Sequence, residues 1–265
     1  MIANDRSMTV GTGASRKTIK VGGVMVAFGT GRNVTKNDEN DVKVQTLYSV
    51  LDNTRYRPID TPKGKRIQVH PGAGTCTPVP AANCVPTPAA LGTGVTNAKL
   101  AQRKIEITGD DGVVVEVDQL KQTTWANFNG WYVDLPAVGQ RLLKPMEFYD
   151  GSNILTVWPQ VPAKGSLVDS TTESCDSSSV DEERQARLLI NIMDGKRPTV
   201  QLVDANNDGL YNAADGGSSY SDVSKGSHIF IKQGNKMYDI DTKNSKEALS
   251  LMPEQSLRPS WRQAR

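Results

Sequence analysis

Short runs of alternating or β-branched residues recur through almost the whole chain, and Gly- or Asp-Gly-containing turns separate them. The runs are Val21–Phe28, Val44–Leu51, Lys104–Thr108, Val113–Val117, Gly130–Leu135, Gln140–Leu143, Asn153–Trp158, Ala186–Ile192, Thr199–Val203, His228–Lys232 and Lys236–Ile240. Asp110-Asp-Gly112, Tyr149-Asp-Gly151, Met193-Asp-Gly195 and Gln233-Gly-Asn235 read as tight connections between neighbouring strands, because such residues accept the backbone angles a hairpin turn demands. Helical periodicity is nearly absent; Ser179–Arg187 and Ser245–Met252 are the best helical candidates, and both are short. The expectation is therefore an all-β, antiparallel meander. A propeller blade takes four strands and a closed ring at least four blades, so these runs amount to about three blades' worth. An incomplete, propeller-like arrangement or a fragment of one follows.

The organisation expected is a disordered or partial segment over 1–20 and one β region over 21–265. Two long insertions, 55–98 and 160–183, interrupt it. The chain has 265 residues, within the range in which large β folds remain single domains.

Net charge is only +2. The first 66 residues carry 12 Lys/Arg against 6 Asp/Glu, and Ser166–Glu183 carries six acids and no base. The basic residues are scattered singly, not gathered in a stripe, which argues against a nucleic-acid partner. No stretch approaches the ~18 apolar residues of a membrane helix, and Met1–Ser7 is too polar for a secretory leader.

The twelve residues Asp204 to Asp215 carry the clearest chemical signal. Oxygen-bearing side chains stand at positions one (Asp204), three (Asn206), five (Asp208), nine (Asn212) and twelve (Asp215), with Gly209 at position six. Ca²⁺ takes six to eight oxygen ligands at about 2.3–2.6 Å, and the chain must turn sharply at position six to supply them. Leu210 offers its backbone carbonyl at position seven. A plain Asn/Asp/Gly turn would not require five donors in register with that glycine. Gly216-Gly-Ser-Ser follows and starts no helix, so the metal would staple a loop to a sheet.

Calcium of weak or moderate affinity belongs outside the cytosol, as does a disulfide between Cys76 and Cys84, which share one Pro/Gly-rich, charge-free stretch. Cys175 is left over. An exported chain lacking its own N-terminus reconciles this with the missing leader. Catalytic motifs are poorly provisioned: the two histidines are His70 and His228, and neither a Gly-x-Ser-x-Gly elbow, a His-Glu-x-x-His nor a Walker loop occurs. Trp125, Trp131, Trp158 and Trp261 could form a sugar-binding platform, but alternation over Gly130–Pro136 puts Trp131, Val133 and Leu135 together on one face, which is read as buried.

Four segments in order, Phe28-Gly-Thr-Gly-Arg32, Gln45-Thr-Leu-Tyr-Ser-Val-Leu-Asp-Asn53, Gly130-Trp-Tyr-Val-Asp-Leu-Pro136 and Ser260-Trp-Arg-Gln-Ala-Arg265, resemble the C-terminal region of the PilY family of type IV pilus biogenesis proteins. The resemblance runs from about Val21 to the last residue. It implies a calcium-dependent β-propeller at the pilus tip, cell surface or outer membrane/periplasm. Its partners would be minor pilins and other pilus components, with host or surface ligands, and its work pilus extension and adhesion without catalysis. It carries over to Asp204, Asn206, Asp208, Leu210, Asn212 and Asp215 as loop ligands. Family members are usually far longer, with a signal peptide and a large N-terminal region. Two other classes compete: a quinoprotein-like propeller enzyme, which would need a cofactor cavity on a full ring, and a carbohydrate-binding β module.

Overall fold

The computed structural model describes residues 2–10, 13–15, 17–35, 37–38, 41–52, 56–69, 100–120, 128–163 and 183–253. The strands are β1 (Ile2–Val10), β2 (Lys17–Gly29), β3 (Thr46–Asp52), β4 (Tyr56–Thr61), β5 (Gly64–Val69), β6 (Ala101–Thr108), β7 (Asp111–Glu116), β8 (Gly130–Asp134) and β9 (Arg141–Leu142). They continue with β10 (Glu147–Phe148), β11 (Ile154–Val157), β12 (Pro159–Val161), β13 (Arg184–Asn191), β14 (Tyr220–Val223), β15 (His228–Gln233), β16 (Lys236–Asp241) and β17 (Lys246–Ser250). No α-helix occurs among the described residues.

Twelve strands make one sheet along the path β1-β2-β3-β8-β6-β7-β14-β13-β11-β10, with β12 joined to β13 and β9. A three-stranded sheet β15-β16-β17 and a hairpin β4-β5 stand apart from it in hydrogen bonding. Every pairing is antiparallel except β6 with β8, where Ala101 lies beside Trp131. The class expected from the alternation is thus the observed one: all-β, a largely antiparallel meander, propeller-like and open. The meander β15–β17 has three strands where a blade has four.

Turn chemistry sets the hairpins. Gln233 faces Lys236 across Gly234-Asn235, and Gly234 has φ 63°, the left-handed region that such two-residue turns use. Thr108 faces Asp111 across Gly109-Asp110, one residue earlier than Asp110-Asp-Gly112 suggests. Tyr149–Gly151 forms a 3-10 turn between β10 and β11. Met193-Asp-Gly195 turns the chain out of β13 and into an irregular stretch, with no hairpin partner.

Two layers of apolar side chains bracket β13. Ala186, Leu188 and Ile190, with Ile192 just beyond the strand, pack with Met25, Leu47, Trp131, Val133 and Val157 in the larger cluster. Leu189, from the opposite face, packs with Tyr149, Ile154, Leu202, Val203, Met237 and Leu249 in the second. A strand buried on both faces is apolar in nearly every position rather than in alternate ones, which is what Ala186-Arg-Leu-Leu-Ile-Asn-Ile192 shows apart from Arg187 and Asn191. The second cluster seats the three-stranded sheet on the large one.

Two expectations are corrected here. Ser245–Met252 is not helical: Lys246–Ser250 is β17, paired with β16 from Lys236↔Ser250 to Ile240↔Lys246. Lys, Glu, Ala and Leu are good helix formers, but propensity yields to tertiary context, and pairing with β16 with Leu249 buried overrides it. Thr199–Val203 forms no ladder strand; it is an irregular segment whose backbone meets β17 through the bond from the Ser250 amide to the Leu202 carbonyl, 2.9 Å, and whose Gln201 side chain donates to the Ser218 carbonyl. Residues 2–10, in the stretch expected to be disordered or partial, pair with Lys17–Met25. The insertion 55–98 carries the β4–β5 hairpin in its described part, and Ser179–Arg187 runs into β13.

Candidate functional site

The loop Asp204–Asp215 leaves the sheet edge immediately after the buried Leu202 and Val203 and returns through a 3-10 turn at Ala213–Asp215. Its winding follows from its polar side chains. Asp204 accepts the amides of Asp208 (Oδ1, 3.1 Å) and Gly209 (Oδ2, 2.8 Å). Asn206 Oδ1 also accepts the Asp208 amide, at 3.1 Å, and Asp208 Oδ1 accepts that of Leu210 at 2.7 Å. Gly209 sits at φ 81° with open space where a Cβ would stand, so the sharp turn required at position six is made.

Asp215 closes the loop. It is buried; its Oδ1 accepts the Ala205 amide at 3.0 Å and its Oδ2 the Asn212 amide at 2.8 Å. Asn212 answers by accepting from the Ala214 amide at 2.7 Å, a reciprocal cap of the short turn. Tyr211 points back into the fold, donating its hydroxyl to the Ala248 carbonyl of β17 at 2.9 Å. The predicted donors are therefore held in one loop, tied to the three-stranded sheet.

All six predicted donors are oxygens, the hard set that Ca²⁺ takes, and the backbone fits such a loop. The carboxylates are engaged with backbone amides rather than gathered on one centre. Among the described residues no group of three or more His, Cys, Asp or Glu side chains lies close enough to hold a metal ion. Cys76, Cys84, Cys175, His70, Trp125 and Trp261 lie outside the described residues.

Beside the loop a cleft of about 840 Å³ opens between residues 196–201 and 211–217, with Glu116, Lys196, Tyr211 and Asn212 among its walls. A smaller pocket of about 350 Å³ is lined by Asp110, Gln140, Arg184, Tyr220 and Asp222. Burial and the nearby Asp110 charge push the Asp222 carboxyl up.

Sequence reasoning missed a charged cluster between the two sheets. Arg187, fully buried on β13, donates to Asp239 Oδ2 at 2.7 Å and to Glu247 at 2.8 Å (Oε2) and 2.6 Å (Oε1). His228 Nδ1 lies 2.7 Å from Asp239 Oδ1. The signal was legible in principle: Arg187 interrupts an apolar run, and Asp239 interrupts Met-Tyr-Asp-Ile, where a buried charge needs a partner. Ser224, His228 and Asp239 are the residue types of a hydrolytic triad but lack its geometry. His228 Nε2 lies 2.9 Å from the Ser224 carbonyl oxygen and 3.5 Å from its hydroxyl, so no base stands ready for that hydroxyl.

Trp131 is fully buried, its Nε1–H donating to the Ile192 carbonyl at 2.9 Å, and Trp158 is buried at 5% exposure. Neither offers a face to a sugar. Three of the four quoted segments lie side by side on β2, β3 and β8. Phe28 stacks on Tyr48 (5.3 Å) and Tyr48 on Tyr132 (6.2 Å). Thr46 donates from its amide to Thr30 Oγ1 at 2.8 Å and from its hydroxyl to Asp134 at 2.6 Å. Those segments are one packed unit.

Fold and site together define an all-β domain with an oxygen-lined acidic loop tied to the three-stranded sheet. No family model matches the chain, and neither does any curated protein. Among solved structures it is similar to the PilY1 C-terminal domain of Pseudomonas aeruginosa, at 14% identity and a TM-score of 0.52, over 88% of this chain and 43% of that one. At that identity the likeness is one of fold.

Proposed function

We propose that the chain is a non-enzymatic, calcium-binding domain of a type IV pilus biogenesis protein. It is exported to the pilus tip or cell surface, and it promotes pilus assembly and extension and contacts surfaces. The observation that carries the reading is the fold likeness to the PilY1 C-terminal domain over 88% of the chain. The four ordered sequence segments and the acidic loop support it. In this reading Asp204, Asn206, Asp208, the Leu210 carbonyl and Asp215 hold one Ca²⁺, with Asn212 direct or through water. In this reading the cation draws the three carboxylates, each of which accepts backbone amides without it, onto one centre and fixes the connection. Since Tyr211 already grips β17, the ordered loop becomes a firm surface for a minor pilin or another pilus component, next to the cleft. No helix among the described residues is long and apolar enough to cross a membrane.

Cells deleted for this protein and complemented with it test the proposal. Restored pili with the wild-type chain, and loss with an Asp204→Ala/Asp208→Ala variant that accumulates normally, are expected. A deletion strain that assembles and extends pili normally would remove the pilus role. A double variant that complements fully would reduce the loop to a local staple.

A further inference from the structure

His228 opens β15 at the seam between the three-stranded sheet and the large sheet, and its side chain is 5% exposed. Each ring nitrogen faces an acceptor. Nδ1 meets Asp239 Oδ1 at 2.7 Å, and Nε2 meets the Ser224 carbonyl at 2.9 Å. A carbonyl can only accept, and the Asp239 carboxylate already takes Arg187 Nη1 on its other oxygen at 2.7 Å. An imidazole satisfies both partners only when both nitrogens carry hydrogen. The ring also stacks on Trp158 of the large sheet, 4.7 Å between centroids at 28°, a contact that favours a cation over the indole face.

We propose that protonated His228 is a clasp that fastens the sheet β15–β17 to the large sheet, and that losing its proton loosens that seam. Deprotonation removes one N–H, so one of the two short contacts becomes lone pair against lone pair. It also removes one positive charge from the chain His228–Asp239–Arg187–Glu247, whose two cations and two anions otherwise balance.

The charged groups facing the ring from each packed element set the direction. Asp239 and Asp241 of β16 favour the cation, Asp241 standing opposite His228 in register. Arg187 of β13 opposes it, tempered by Glu247 of β17. Lys144, bonded to the Gly226 carbonyl and Gln185, adds positive charge nearby. Burial pulls the imidazole down, but the hydrogen bonds to Asp239 and the Ser224 carbonyl and the Asp239 charge outweigh it. The net displacement is above the ordinary value of 6.5. A group raised on folding contributes stability in full below its unfolded value and loses it as pH rises through the folded one. The seam is therefore tight in mild acid and loosens toward alkaline pH.

Nitrogen-15 NMR of the imidazoles, with hydrogen-exchange protection corrected for intrinsic rates, tests this on the whole chain. There are two histidines, so a His228→Gln variant assigns the spectrum. The expected result is a His228 transition above 6.5 with both nitrogens protonated below it. Protection across His228–Ser250 should be lost as pH rises through that transition, and the variant should abolish the loss. A transition at or below 6.5, an unprotonated nitrogen at lower pH, unchanged protection, or a folded His228→Gln chain that keeps the pH dependence would each overturn the proposal. Should the variant not fold, an Asp239→Asn chain identifies the resonance by its displacement, and the wild-type titration decides.

Discussion

Asp215 and Ala205 are joined across the acidic loop: the carboxylate of its last residue accepts the amide of its second at 3.0 Å. The same side chain accepts the Asn212 amide, so one buried carboxylate fixes both limbs. Removing it takes the acceptor from three amides, those of Ala205, Asn206 (at 3.5 Å) and Asn212. Asp215→Ala should therefore lower stability by about 1–3 kcal/mol even with chelator present, read by chemical denaturation. An unchanged midpoint would show that the loop closes without that carboxylate.

Tyr211 links the loop to β17 through the Ala248 carbonyl. Tyr211→Phe keeps the ring and removes that bond, at an expected cost of about 0.5–1.5 kcal/mol. Hydrogen exchange should show the Lys246–Ser250 strand less protected and the far strands of the large sheet unchanged. Equal protection in both proteins would mean that the loop and the small sheet are energetically independent.

Gly130 has φ 141°, and a Cβ there would stand 2.0 Å from the Ser49 carbonyl oxygen. Both the backbone and the neighbouring strand exclude any other residue. Gly130→Ala should lose about 1–3 kcal/mol from strain alone, with more from parting β3 and β8. Thermal unfolding at the wild-type midpoint would contradict the packing described here.

Arg187 is held by the buried Asp239 and by the more exposed Glu247. Taking away one partner of a buried pair strands the other, here Asp239, so Arg187→Ala should cost about 3–5 kcal/mol. The loss should fall on β15–β17 first, visible as early exchange there. A variant as stable as wild type would mean that Asp239 and Glu247 find other partners.

What the sequence revealed, and what it hid, follows from the range of the interactions. Alternation exposed β3, β6, β8 and β16 because each has one buried face, and Trp131, Val133 and Leu135 are buried as their period requires. Lys246-Glu-Ala-Leu-Ser was illegible as β17 because its strand character comes from pairing with Lys236–Ile240. Thr199–Val203 alternates like a strand, yet its backbone bond to a strand is the one at the Leu202 carbonyl, and its Leu202 and Val203 side chains join the sheets by packing. At the candidate site the spacing of the oxygen donors and of Gly209 is local, and the loop they wind could be read directly. The Arg187–Asp239–His228 cluster joins β13 to the β15–β16 hairpin, with Arg187 and Asp239 52 residues apart in the chain, so it became visible only when the sheets met.

Calcium titration calorimetry on the wild-type chain and on Asp208→Ala tests the central claim most directly. The account predicts one site with Kd in the range of about 10⁻⁶–10⁻³ M, loss of that heat in the variant, and hydrogen-exchange protection that rises with calcium mainly across Leu202–Asp222. No heat in the wild type, or equal heat in the Asp208→Ala chain, would contradict it.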